Sequence, residues 1–377
     1  MINRLLKEKI RKDLFKGKIV IVYGARRVGK TTLSKELLQE FKETGKYLNC
    51  EIISVEKSLT DREPEKLRAF LGNYKIVVLD EAQVIPDIGK ILKLISDSIN
   101  DVQIIATGSS SFDIAHKTSE TLTGRAYHHI LYPFSILEIC AQSDWLQVES
   151  NLERLLIYGL YPEVYLSDNE RAVKELEEIS SSYLFKDLLH YDGIKKSRLL
   201  RNLLISLALQ LGSEVGYNEL AAKLGVNNMT IQKYMDLLEQ CHIIFRLNSF
   251  SRNLRKELTK SFKVYFYDNG IRNVLINNYN PLSLRNDSGA LWENFCISER
   301  IKSNAYIGKT VNSYFWRTYD QKEIDYIEDA GGKITGYEFE FSDNKKAARN
   351  KEFSDTYNAE LHTINKSRYA DFFELKI

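Results

Sequence analysis

The segment Gly24–Thr32 reads GARRVGKTT. It follows a β-branched apolar run, Lys18–Tyr23 (KIVIVY), and precedes an amphipathic helical stretch that ends at Gly45. Strand, then GxxxxGK[ST], then helix is the context in which backbone N–H groups cradle phosphate oxygens. Gly24 and Gly29 let the backbone fold that tightly, at a helix N-terminus whose dipole favours anions. Ala25, Arg26, Arg27 and Val28 complete the loop. Lys30 is expected to reach the β- and γ-phosphates, the Thr31 hydroxyl to ligate Mg²⁺, and Thr32 to hold the α-phosphate. Arg26 and Arg27 add positive charge beside the phosphates, or else face solvent or a neighbouring subunit. The bland alternative is a glycine-rich loop beside a buried strand.

A phosphate cradle that hydrolyses its ligand also needs a metal-side carboxylate and a base for water. Lys75–Gln83 reads KIVVLDEAQ, a continuous apolar run of the kind buried on both faces, closed by Asp80 and Glu81. Asp80 is expected to hold Mg²⁺ through water, and Glu81 to polarise the attacking water. A third run, Val102–Thr107 (VQIIAT), leads into Ser109. A strand between the two motif strands commonly carries a polar group toward the γ-phosphate, which makes Thr107 and Ser109 the candidates against a plain turn. Arg125, in Leu122–Arg125 (LTGR), is a candidate arginine finger or sensor, in its own site or a neighbour's. Such a group is worth roughly 10³–10⁵ in rate, and the alternative is a surface salt bridge.

Together, GARRVGKTT, VVLDEAQ, ATGSS, and LTGR followed by LYPFSILE resemble a family of bacterial and archaeal AAA-type ATPases with a C-terminal domain of unassigned function. The similarity runs from about Ile10 to the end of the chain. It implies ATP and Mg²⁺ as cofactors, and self-association into a ring or other oligomer. It also implies an α/β fold in four parts: a parallel-sheet P-loop domain (1–134), a helical lid (135–197), a winged helix (198–270) and a C-terminal domain of restriction-endonuclease type (285–377).

The elements that must position these groups are legible in outline. The chain has 377 residues and a net charge of +2, so contact with nucleic acid must come from local patches. Cys50, Cys140, Cys241 and Cys296 lie far apart with no CxxC pair, which argues against zinc or a disulfide framework and suits a reducing cytosol. The longest apolar stretch, Leu203–Leu211, is too short to span a bilayer, so no membrane contact is expected and the location reads as cytoplasmic. MINRLLKEKIRKDLF is read as a first helix and not as a targeting peptide, because it carries Glu8 and Asp13 and runs into a core strand.

From Ser135 to about Lys196 the apolar spacing is helical. Gly216–Leu247 then reads as two helices joined by a tight turn at Gly225-Val226-Asn227, followed by a strand and a returning strand FKVYFYD. That is the pattern of a winged helix-turn-helix. Asn227, Asn228, Thr230, Gln232 and Lys233 are the groove-facing candidates. The loop Ser251–Lys263 carries Arg252, Arg255, Lys256, Lys260 and Lys263 against Glu257, a stripe suited to phosphates. Without an arginine aimed at bases, the pattern suggests recognition of DNA shape or backbone. Packing against protein is the alternative.

Beyond Gly289 the order is helix, three strands, helix, strand, that of the restriction-endonuclease-like fold. Asp325 and Glu338 occupy its metal-binding positions, and Glu293 is the possible helix member. Alternation puts Tyr337, Phe339 and Phe341 on one face and Glu338 with Glu340 on the other. Glu340 stands where that fold carries a lysine, and a carboxylate there repels hydroxide and phosphate alike. Lys345 or Lys346 in the following turn are the conceivable substitutes. The site therefore reads as a degenerate one, used for holding. Three functions follow: an ATP-hydrolysing machine that binds and remodels DNA, an ATP-dependent switch acting on protein partners, and an ATP-gated nuclease.

Overall fold

The structure, a computed structural model, describes residues 2–109, 122–184, 197–250, 262–318, 320, 322–342 and 351–373. The chain divides into two compact units, Met1–Pro133 with Gln240–His242, and Phe134–Glu239 with Ile243–Ile377.

In the first unit, β1 (Ile19–Tyr23), β2 (Gly45–Asn49), β3 (Ile76–Asp80), β4 (Gln103–Gly108) and β5 (Ala126–Ile130) form a parallel sheet in the order β2-β3-β4-β1-β5. β1, β3 and β4 are buried along their whole length. That accounts for their unbroken apolar runs, since a parallel strand covered on both faces has no reason to alternate. β4 lies between β1 and β3, as expected. All strands point one way, so the segments after β1, β3 and β4 meet at one edge, where ligands of such sheets bind. The first helix, Leu5–Asp13, buries Leu6 and Ile10.

In the second unit, β6 (Glu214–Val215), β7 (Ile244–Ser249), β8 (Phe262–Phe266), β9 (Asn312–Arg317), β10 (Glu323–Ala330), β11 (Lys333–Phe339) and β12 (Glu360–Ile364) form one sheet in the order β12-β11-β10-β9-β7-β8-β6. The strands expected in separate domains over 198–270 and 285–377 are thus continuous. The join is the parallel pairing of β7 with β9, Asn248 opposite Tyr314 and Ser249 opposite Phe315. The helices of 135–184 group with this unit from Phe134 onward. The two helices Tyr217–Leu224 and Asn228–Gln240 flank a turn with Gly225 in the left-handed region, φ +67°.

The helix Ser288–Ile307 departs most from its expected character. Its pattern reads as amphipathic, yet it is buried on nearly every side. Its buried charged residues are tolerated because each has a partner, the condition for burying charge, whereas Ser303 Oγ and Asn304 Oδ1 are buried without one. Asn294 accepts from Phe266 N at 2.8 Å and donates to Phe266 O at 3.0 Å. Arg300 makes a two-pronged contact with Glu328 at 2.8 and 3.0 Å. Lys302 pairs with Glu299 at 2.6 Å, and Glu299 accepts the Ile136 N–H at 2.7 Å.

Candidate functional site

The loop after β1 closes under steric compulsion. A Cβ at Gly24 would lie 2.1 Å from the Leu131 carbonyl oxygen, and Gly29, with φ +98°, caps the helix Lys30–Leu38. No side chain fits at the first position, and only glycine takes the second backbone without strain. The Lys30 ammonium folds back onto the Gly24 and Ala25 carbonyls at 2.8 and 2.9 Å, which holds it among the loop's own dipoles. The Val28 carbonyl accepts from Arg4 at 2.7 Å, and the same guanidinium reaches the Tyr132 carbonyl at 2.5 Å. Arg4 was not foreseen. Its signal was an arginine placed just ahead of the first helix, and that alone does not point to the loop. Ala25 is buried, Arg26 and Arg27 are half-buried, and Thr32 is exposed.

Asp80, 3% exposed at the end of β3, is the hub. Its Oδ2 accepts from the Thr31 hydroxyl at 2.8 Å and from the Tyr47 hydroxyl at 2.5 Å, and its Oδ1 accepts from the Thr107 hydroxyl at 2.5 Å. Thr107 also accepts the Glu81 N–H at 3.1 Å. Thr107, a candidate for the γ-phosphate, braces both acidic residues. Glu81 sits in the left-handed region, φ +53°, a conformation that costs a non-glycine residue of order 1–3 kcal/mol unless its surroundings impose it. The Gln83 amide donates to the Glu81 carboxylate, and the same nitrogen lies 3.1 Å from the Ser109 hydroxyl. Gln83, read only as the last letter of DEAQ, therefore ties the expected base to Ser109, a candidate for the γ-phosphate.

These residues fit Mg-ATP. A hydroxyl and a carboxylate 2.8 Å apart are hard oxygen donors, and Mg²⁺ is ordinarily held by one or two carboxylates together with substrate phosphates. Among the described residues no cluster of three or more His, Cys, Asp or Glu side chains has the form of a metal site, and this nucleotide-dependent arrangement needs none. One test concerns Gln83. In Gln83→Ala, hydrolysis is expected to fall about tenfold or more with nucleotide affinity retained, because the Glu81 carboxylate loses its anchor. Steady-state kcat beside nucleotide binding checks it, and an unchanged kcat removes Gln83 from the site.

Arg125 does not join this site. Its carbonyl accepts the Ile19 N–H at 2.9 Å, at the start of β1, and Ala126 pairs with Ile19. A five-residue strand spans on the order of 15 Å, so Arg125 stands at the sheet edge opposite the phosphate loop. There it pairs with Asp97 at 2.6 Å, the surface salt bridge weighed as its alternative.

In the second unit, Lys263 overturns its expected role. The sequence places it in a phosphate-binding stripe, but on β8 it is 2% exposed. Its ammonium contacts Glu323, lies 3.3 Å from Glu293 and 3.9 Å from Asp325. Burial alone would lower its pKa, but Glu293, Asp325 and Glu323 outweigh that and hold it above its usual range. The Tyr265 hydroxyl donates to Glu293 at 2.5 Å. The available signal was that Lys263 is flanked by Phe262, Val264, Tyr265 and Phe266, a strand apolar on both faces. Arg252, Arg255, Lys256, Lys260, Lys345 and Lys346 lie outside the described residues.

Asp325 sits in an irregularity of the β9–β10 pairing between Ile324 and Ile327, a place where strands re-aim side chains. It accepts the Phe339 N–H at 2.9 Å, and the Tyr326–Tyr337 pairing sets it beside Glu338. Burial and then Glu293 push Asp325 up to about 8, and burial with Glu340 pushes Glu338 up to about 7. These groups bind more protons folded than unfolded between about pH 4 and 8, so the stability they permit at low pH is lost as pH rises through 7–8. Urea midpoints are thus expected to fall from pH 6 to 8.5, with a shallower fall in Asp325→Asn. Equal slopes would refute this origin.

On the helix Asn228–Gln240, the expected groove contacts divide. Asn227 Oδ1 accepts both the Thr230 N–H and the Thr230 hydroxyl at 2.8 Å, capping the helix, and Asn228 donates to Asn218. Gln232 and Lys233 are exposed, and Met229 between the caps is 77% exposed. All four cysteines are free, and among the described residues no helix is long and apolar enough to cross a membrane.

Residues 16–140, most of the first unit with its parallel sheet, match the AAA domain family. Residues 149–282 match the domain of unknown function DUF8612, and 288–370 the domain of unknown function DUF4143. Over 347 residues the chain is 25% identical to the uncharacterized protein Rv2008c of Mycobacterium tuberculosis, covering 90% of this chain and 74% of that one. It is 26% identical over 275 residues to an uncharacterized protein of Haemophilus influenzae, covering 67% and 68%. Among solved structures, the RuvB Holliday junction branch migration motor of Thermotoga maritima overlays with a TM-score of 0.34 at 18% identity, covering 65% of this chain and 90% of that one. An overlay at that level adds nothing to the sheet order.

Proposed function

We propose that this protein binds Mg-ATP in its first unit, hydrolyses it with Glu81 as the base for water, and uses the cycle to hold and remodel DNA. The observation that carries the nucleotide part is the convergence of Thr31 and Thr107 on Asp80, with the Glu81 N–H on the same Thr107 hydroxyl. Bound Mg²⁺ supplies neutralisation of the charge that builds on the phosphates. The chain's own groups do the rest. The Gly24–Gly29 backbone and Lys30 bind and orient the phosphates, Asp80 fixes the metal side, and Glu81, anchored by Gln83, takes a proton from water.

The DNA part rests on the second unit. We read its helix pair and the β7–β8 hairpin as a winged helix, with Gln232 and Lys233 exposed on the second helix. We assign the C-terminal strands to a nuclease-like domain that holds without cutting. Glu340 stands in the lysine's place, and Lys263, the lysine that pairs with Asp325 among the described residues, is bound up by Glu293 and Glu323. Self-association belongs to this proposal.

The test is the ATPase rate of the full chain with and without duplex, branched and single-stranded DNA. Stimulation of several-fold by one of them is the expected result. Hydrolysis indifferent to every DNA removes the DNA part and favours a switch acting on proteins, while no hydrolysis at all removes the whole reading.

A further inference from the structure

Tyr47 belongs to no phosphate motif, yet it touches the residue on which the metal side of the site depends. It lies on the edge strand β2, where Tyr47 pairs with Val78 and Asn49 with Asp80. Its hydroxyl donates to Asp80 Oδ2 at 2.5 Å, the same oxygen that accepts from Thr31 at 2.8 Å. Its ring lies 4.9 Å from the Lys35 ammonium, on the helix that follows the phosphate loop. One side chain therefore bridges that helix and the end of β3.

A carboxylate has about four acceptor directions. At Asp80 three are taken by hydroxyls, and the partners differ in kind. Thr31 is itself an expected metal ligand, and Thr107 braces the Glu81 backbone. Tyr47 alone of the three is neither an expected ligand nor a hydrogen-bond partner of Glu81. We propose that Tyr47 is a positioning residue for the divalent cation. By occupying one lone pair of Oδ2, it would fix the rotation of the carboxylate and keep the remaining acceptor direction available to a bound cation's shell. Partners of this outer kind typically govern metal affinity by roughly 10–100-fold.

The inference rests on the Mg-ATP reading, and the experiment separates the two. Free Mn²⁺ is followed by electron paramagnetic resonance as it titrates the full chain in ADP, beside ADP binding in EDTA and a thermal melt. In Tyr47→Phe, Mn²⁺ affinity is expected to weaken about tenfold, with metal-free ADP affinity and melting temperature unchanged. Tyr47→His, which keeps a donor, should recover part of the loss, which a merely structural role would not produce. Unchanged Mn²⁺ affinity in Tyr47→Phe overturns the inference and leaves the nucleotide reading standing. Should Tyr47→Phe melt early, failure of Tyr47→His to recover any affinity overturns it equally. A wild type that takes up no Mn²⁺ with ADP overturns both.

Discussion

Glu81→Gln is expected to lower ATP hydrolysis by roughly 10²–10⁴-fold, the ordinary contribution of a positioned general base, while leaving nucleotide binding intact. The substitution suits this site for a geometric reason. The Glu81 backbone is held in the left-handed region by its bond to Thr107, and its side chain accepts from Gln83. A glutamine keeps the shape and still offers a carbonyl oxygen to the Gln83 amide. What disappears is basicity. The protein should then trap ATP, seen as retained γ-labelled nucleotide after rapid gel filtration. Hydrolysis at the wild-type rate would reassign the base, whereas lost binding would mean that Glu81 contributes to the pocket's shape.

The second large effect is structural. In Lys263→Met the second unit is expected to lose about 3–5 kcal/mol, the usual result of removing one partner from a buried ion cluster. Glu293, Glu323 and Asp325 converge on the ammonium, and an isosteric apolar stem leaves the charge of the two glutamates uncompensated in a poorly solvated place. Chemical denaturation reads the loss directly. The same variant distinguishes the two roles for this residue. A lysine on a DNA phosphate would leave stability alone and reduce the salt dependence of binding by about one charge. Lys263→Met with wild-type stability and a shallower salt slope would return it to the basic stripe.

Much of the nucleotide site could be read without coordinates, because its parts are local. Gly24, Gly29, Lys30 and Thr31 act through spacing along a few residues of backbone, and Asp80-Glu81 closes a strand whose unbroken apolar run already announces a buried parallel sheet. The C-terminal element order was readable for the same reason. Periodicity reports the neighbours of a residue along the chain, so Glu338 and Glu340 separate cleanly from Tyr337 and Phe339.

Tertiary structure decided everything that depends on pairing between distant segments. Arg125 sits close in sequence to the start of β5, but only the parallel register with Ile19 shows that it lies at the far edge of the sheet. Lys263 looks solvated among the basic residues before it, until β8 sets it against carboxylates 30 and more positions along the chain. The helix Ser288–Ile307 looks half-exposed because charge normally marks a wet face, and here Arg300 and Lys302 have buried partners instead. Tyr47 carries no sequence signal at all, since a tyrosine on an edge strand is unremarkable until its hydroxyl meets Asp80. By itself the sequence determined the loop, the strand end and the acidic pair on which the proposed phosphate chemistry rests. The fold decided which of its charges serve that chemistry and which hold the protein together, because a charge takes its role from the partners that long-range packing brings within hydrogen-bonding distance.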